Sequence, residues 1–234
     1  MFPTYILAGG KSSRFGSDKG RQLVDGVTLI ERLYRIFSSQ ELNRIFLVAG
    51  SKETYSDLQI PTILDSIPNL GPVSGVATAL EHRERHGDCI EGKAGSDWCL
   101  IVTCDLLEWH PAWVDRLSEG MSTAVDMAVS GKSSQKLPKA ACFCKQESTN
   151  CDLHRLFWDP FPGLFHGSAL PEALRIRDSQ RPSMQDLLNS PSMNSAPISQ
   201  KDLPKIRSAN TKEEFDYWLR NCPGLTSSFQ HPNA

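Results

Sequence analysis

Tyr5-Ile-Leu-Ala-Gly-Gly-Lys-Ser-Ser-Arg-Phe-Gly-Ser-Asp-Lys19 is the stretch that decides the reading of this 234-residue chain. Its opening apolar run, Tyr5 to Ala8, is too short for a helix and stops at Gly9-Gly10, so it reads as a strand buried on both faces. Two adjacent glycines let the backbone turn sharply and approach a ligand closely. Backbone N–H groups in such a loop, with the hydroxyls of Ser12 and Ser13, can cradle phosphate oxygens. Lys11, Arg14 and Lys19 place three positive charges within nine residues. Arg14 can grip a phosphate through two parallel hydrogen bonds, and Lys19 supplies a point charge. Strand, glycine turn and cations together describe a nucleoside triphosphate site.

The best-known phosphate loops do not fit these residues. A Walker A loop requires Gly-x-x-x-x-Gly-Lys-Ser/Thr, whereas Gly16 is followed by Ser17-Asp18. The dinucleotide fingerprint Gly-x-Gly-x-x-Gly is absent as well. The run Leu7 to Lys19 instead resembles the signature loop of the molybdenum cofactor guanylyltransferase family, part of a larger group of nucleotidyltransferases with a Rossmann-like fold.

Further along, two other strand ends carry motifs of the same kind. Ile60 to Leu64 reads as a short strand that ends at Asp65, before Gly71-Pro-Val-Ser-Gly75 and a helix over Val76 to Glu81. A helix N-terminus after such a loop attracts anions. An aspartate followed by a Gly-Pro-Leu-x-Gly loop is similar to the family's second signature, with Val73 here in place of leucine. Trp98-Cys-Leu-Ile-Val-Thr-Cys104 is the most apolar run and reads as a central strand ending in Asp105. An acidic residue there sits where open α/β sheets place their ligands, and its carboxylate can hold Mg²⁺ together with substrate phosphates. Cys104-Asp105 matches the family's Cys-Asp-x-Pro turn, but Leu107 stands where proline is usual.

The rest of the chain supplies the frame. Thr28 and Glu31 make a capping box for a helix whose Leu29, Ile30, Leu33, Tyr34 and Phe37 form one apolar face. Ile45 to Ala49 is the next buried strand, completing a right-handed βαβ unit. Ala112 to Leu117 reads as helix, Thr123 to Val129 as strand, and Lys136 to Cys144 as strand. The stretch 150–167, rich in aromatics and prolines, fits no periodicity. Ser183 to Leu188 reads as a short helix, and 189–205 as a polar connector. Thr211 is an N-cap with Glu213 and Glu214 in the first helical turn, in a segment resembling the group's Asn-Thr-x-Glu-Glu turn.

Composition limits the alternatives. A net charge of −2 gives no broad nucleic-acid surface. No stretch approaches the roughly 20 apolar residues that cross a membrane, and Met1-Phe-Pro-Thr4 lacks the basic region of a signal peptide. Seven cysteines without Cys-x-x-Cys spacing fit reduced thiols and a cytoplasmic protein. Cys142 and Cys144 share a strand face, as half of a metal site or as buried structural thiols.

The expected architecture is a three-layer α/β/α fold with a mostly parallel, Rossmann-like sheet, one domain over 1–222 and a disordered tail over 223–234. The resemblance implies the nucleotide-diphospho-sugar transferase type of that sheet. It further implies transfer of GMP from GTP to molybdopterin with release of pyrophosphate, using Mg²⁺. It assigns catalysis to Arg14, Lys19 and Asp105, metal binding to Asp105, and nucleotide binding to Leu7, Ala8, Gly9, Gly10, Lys19, Asp65, Gly71 and Asp105. Molybdoenzymes or other cofactor-biosynthesis proteins are the implied protein partners. A cytidylyltransferase acting on the same pterin, another nucleotidyltransferase of this fold, and a non-catalytic nucleotide-binding regulator remain as alternatives.

Overall fold

A computed structural model describes residues 2–9, 15–39, 44–86, 97–130, 136–145 and 156–221. Its first strand, β1, is Thr4–Leu7 and is buried throughout. After it come the two-residue strands β2 (Leu23–Val24) and β3 (Val27–Thr28), helix α1 (Leu29–Ser39), β4 (Ile45–Ala49) and β5 (Thr62–Leu64). Next are α2 (Pro72–His86), β6 (Trp98–Thr103), α3 (Ala112–Val129), β7 (Ala140–Lys145) and β8 (Phe157–His166). The chain continues through α4 (Leu170–Arg177), α5 (Met184–Leu188), β9 (Ala196–Ser199) and α6 (Lys212–Asn221). The expected tail over 223–234 lies outside the described residues.

Within the described residues a seven-stranded sheet runs in the order β5-β4-β1-β6-β8-β7-β9. The pairs β1–β4, β1–β6, β4–β5 and β7–β9 are parallel. Only β8 runs the other way, antiparallel to both β6 and β7. Side chains alternate across this sheet. Tyr5 and Leu7 join a core with α2, α4 and α5, whereas Ile6 joins Ile30, Leu33 and Phe37 of α1 and Trp113 and Leu117 of α3. Helices therefore cover both faces, as expected of a three-layer α/β/α fold. Among the described residues no helix is long and apolar enough to cross a membrane.

The capping box forms as expected. The Glu31 N–H donates to Thr28 Oγ1 at 3.2 Å, and the Thr28 N–H donates back to Glu31 Oε2 at 3.0 Å. Thr211 and Glu214 repeat it at α6, with the Glu214 N–H donating to Thr211 Oγ1 at 3.2 Å.

Three expectations are corrected. Residues 123–129 are not a strand but the second half of α3. Gly120 lies inside that helix because Ile198 of β9 packs onto it; a Cβ there would stand 2.1 Å from Ile198 Cδ1. The aperiodic stretch contains β8, whose ladder with β7 jumps from Cys142↔Gly163 to Phe143↔Asp159. Pro160, Phe161 and Pro162 are thus left out of that ladder, as suits a segment in which two of the three residues are prolines without an N–H. The polar connector contains β9, which buries Ala196 and Ile198 and exposes Pro197 and Ser199.

Cys142 and Cys144 are buried and free, in the core shared with α2, α4 and α5. Burial pushes both thiols above their ordinary value. No group of three or more His, Cys, Asp or Glu among the described residues is arranged to hold a metal. They are packing residues.

Candidate active site

Four strand ends converge on one side of the sheet. The Ala8 N–H donates to Val48 O at 2.8 Å, the Asp65 N–H to Ala49 O at 2.8 Å, and the Cys104 N–H to Leu7 O at 3.0 Å. These bonds bring the residues after β1, β5 and β6 alongside one another. Ala8 is half-buried and Gly9 exposed, so the chain opens to solvent as it leaves β1. Leu7 itself is interior: its carbonyl is taken by Cys104, and its side chain lies against Gly75, where a Cβ would come within 3.0 Å of it. Its side chain packs inside and anchors the segment that Ala8 and Gly9 continue.

Asp65 is 7% exposed. Its Oδ1 accepts from Ser74 Oγ at 2.5 Å, Thr78 Oγ1 at 3.3 Å and the Ile67 N–H at 3.2 Å, which ties it to α2. Its Oδ2 faces Gly9, 3.4 Å from where a Cβ on that residue would stand. Gly71 takes φ +99°, a left-handed conformation that favours glycine, and its carbonyl accepts the Ser74 N–H at 3.2 Å as α2 begins.

Lys19 and Asp105 meet beside the strand ends, where an open α/β sheet places its cleft. Lys19 Nζ is 3.5 Å from Asp105 Oδ2, with both side chains under one-fifth exposed. The ammonium also stands 5.7 Å from the centre of the Phe15 ring. Asp105 follows β6, and its carbonyl accepts the Ala209 N–H at 3.3 Å. Asp105 is a hard oxygen donor paired with Lys19, and the described residues offer no all-protein metal cage around it. That donor set fits Mg²⁺, which keeps waters and arrives on substrate phosphates rather than in a dedicated cage.

The structure thus brings Ala8, Gly9, Lys19, Asp65 and Asp105 to one end of the sheet, with Gly71 opening the helix that holds Asp65. Gly10 and Arg14 lie outside the described residues. Asn210 is exposed, and its N–H caps α6 by donating to Glu214 Oε2 at 2.6 Å.

Two groups of residues around the site are not marked by the motifs. Tyr55, in a 3₁₀ segment over Glu53–Leu58, hydrogen-bonds the carboxylate of Asp18. Its signal is a single aromatic in a polar stretch. On the other side Phe15, Val24, Leu29, Leu107, Ala209, Phe215 and Trp218 form a separate apolar cluster. Within it the Leu107 N–H donates to Arg207 O at 2.9 Å, a bond that the proline usual at this position would be unable to make.

Comparison with known proteins gives a consistent picture. A family model described as a MobA-like NTP transferase domain matches residues 4–194. A probable molybdenum cofactor guanylyltransferase of Aquifex aeolicus is 40% identical over 78 residues, 33% of this chain and 38% of that protein. A protein of the same description from Bacillus cereus is 29% identical over 143 residues, 59% of this chain and 66% of that protein. The matched part thus spans less than two thirds of either relative. A crystal structure of molybdopterin-guanine dinucleotide biosynthesis protein A from Archaeoglobus fulgidus superposes with a TM-score of 0.63 at 15% identity, covering 95% of this chain and 99% of that one. At that identity the superposition speaks for the fold.

Proposed function

We propose that this chain, which belongs to the MobA-like NTP transferase family, transfers GMP from GTP to the terminal phosphate of molybdopterin and releases pyrophosphate. The observation that carries the reading is the Lys19–Asp105 pair, held 3.5 Å apart at the sheet end that also carries Ala8 and exposed Gly9. The guanylyltransferase description of the two relatives supports GTP as the donor.

The acceptor is a phosphate oxygen, already anionic at neutral pH, so no strong general base is required. The protein's task is alignment and charge neutralisation. Asp105 would hold Mg²⁺, whose chemistry is to neutralise the triphosphate. The open Ala8–Gly9 backbone lets a planar base or a phosphate come close, and Asp65 presents Oδ2 beside it to the guanosine half. Lys19, beside Asp105, would supply positive charge to the phosphates. The family resemblance assigns Arg14 a second positive charge for the departing pyrophosphate. Ion pairing between Lys19 and Asp105 keeps both charges compensated before substrate arrives.

The test is pyrophosphate release with each of the four nucleoside triphosphates, with and without molybdopterin. Release only with GTP, and only with the pterin, is expected. Release with CTP instead would move the protein to cytidylyl transfer. Tight nucleotide binding without release would make it a binding protein.

A further inference from the structure

We infer that Asp18 and Tyr55 form a clamp that aims Lys19 at the cleft, and that Asp18 is a positioning residue and not a ligand of nucleotide or metal. The inference rests on the proposed triphosphate site. A carboxylate directly before a phosphate-facing lysine would repel a polyanion unless it were turned away and compensated. Here it is both. Asp18 Oδ1 accepts the Gly20 N–H at 2.9 Å. The Tyr55 hydroxyl lies 2.8 Å from Oδ1 and 2.7 Å from Oδ2, so its proton is shared by the two oxygens.

Tyr55 is 2% exposed. Burial first, and then the Asp18 carboxylate, push its phenol well above the ordinary value, so it remains a donor at any working pH. The other side of the clamp is equally fixed. Arg21 makes a forked pair with Asp57 at 2.7 and 2.5 Å, bonds the Thr54 carbonyl, and stands 5.1 Å from the centre of the Tyr55 ring. Gly20 admits no side chain: a Cβ would lie 2.9 Å from Tyr55 Oη and 2.4 Å from Ile30 Cδ1. Asp18, Gly20 and Arg21 are therefore all anchored to the 3₁₀ segment or α1. Lys19, between them, is left pointing the other way, to Asp105 and over Phe15.

The experiment combines Tyr55→Phe, Asp18→Asn and Asp18→Ala with Lys19→Ala, reading MgGTP binding by calorimetry and turnover with molybdopterin. Tyr55→Phe should lower turnover by about 10-fold while changing the Michaelis constant for GTP less than about threefold, the split expected of a group aimed at the transition state. In the Lys19→Ala background the same change should cost less than about twofold, because coupled residues are not additive. Asp18→Asn keeps an acceptor for Tyr55 and Gly20 and should stay within about threefold of the parent, with unchanged Mg²⁺ dependence; Asp18→Ala should behave like Tyr55→Phe. A shift in Mg²⁺ dependence for Asp18→Asn as large as that for Asp105→Asn would make Asp18 a metal ligand and overturn the inference. A Tyr55→Phe effect undiminished without Lys19 would reduce Tyr55 to a packing residue and overturn it equally. Both arms of Asp18 give this answer even if Tyr55→Phe melts below the assay temperature. A parent protein that binds no nucleoside triphosphate would sink the proposed function, and the clamp's role with it; binding with additive variants would sink the clamp alone.

Discussion

Replacing Leu107 by proline, the residue usual in this turn among the resembling family, is expected to destabilise this protein. Leu107 is 3% exposed and packs with Phe15, Phe215 and Trp218. Its N–H donates to Arg207 O at 2.9 Å, next to a bridge between Leu106 and Ser208. Proline deletes that donor and leaves the Arg207 carbonyl without this partner, at a cost of about 1–3 kcal/mol. Loss of one methylene and a poorer fit to the cluster add about 1 kcal/mol. Together these give about 2–4 kcal/mol, or roughly 5–15 °C in Tm for a chain of this size. Urea titration and thermal melting followed by circular dichroism would measure it. Leu107→Ala is the companion variant: it keeps the donor and removes the side chain, at about 2 kcal/mol for a cluster near the surface. A Leu107→Pro protein as stable as its parent would refute the reasoning, because the amide bond to Arg207 would then contribute nothing.

Asp105→Asn preserves shape and removes the charge proposed to hold Mg²⁺; turnover should fall by about 100-fold or more, as for other dominant electrostatic elements. Near-normal turnover at limiting Mg²⁺ would exclude Asp105 as ligand. Lys19→Ala should reduce turnover at saturating GTP by at least about 10-fold, roughly 1.4 kcal/mol of barrier, with a smaller change in the Michaelis constant. A rise in the Michaelis constant alone, in steady-state kinetics, would make Lys19 an ordinary ground-state contact. Glu172 concerns acid stability. Arg175, through hydrogen bonds of 3.0 and 2.6 Å, and then Ser190 hold its carboxyl down at about 2, against an ordinary 4.5. A depressed carboxylate stabilises the fold above its unfolded value and loses that contribution as pH falls, here between pH 4.5 and about 2. Because Arg175 is largely exposed, about 1 kcal/mol is at stake. Glu172→Gln should flatten that part of the stability–pH curve, measured by denaturant titration at pH 7 and pH 3.

The parallel half of the sheet was legible because each strand is an apolar run closed by a turn residue. Ile45 to Ala49 ends at Gly50, and Trp98 to Thr103 shortly precedes Asp105. The capping box of α1 and the N-cap of α6 were legible because they are contacts within three residues. The elements that escaped are those whose conformation depends on distant partners. Residues 123–129 carry β-branched side chains that suit a strand, yet α3 runs on through Gly120 because β9 packs there. In β8 two prolines break the alternation that marks a strand, and only β6 and β7 supply the missing order. Of the site, Asp65 and Asp105 stood out as acids at strand ends. Tyr55 did not, since its partner Asp18 is 37 positions away. The Leu107 cluster escaped for the same reason: three of its seven residues, Ala209, Phe215 and Trp218, lie in the C-terminal segment.

That cluster bears on how the protein is made. Glu108 accepts from Trp218 Nε1 at 3.0 Å across 110 positions of sequence, and Asp105 is tied through its carbonyl to Ala209. The βαβ core with β6 has all its residues long before these partners exist on a growing chain. On a ribosome adding about 5–20 residues per second, the strands around the cleft have several seconds in which to form without the segment that buttresses Asp105. Nascent chains halted before residue 207 should therefore hold a folded sheet with an unfinished cleft. Competence of the proposed nucleotide site would arrive late and abruptly, with α6.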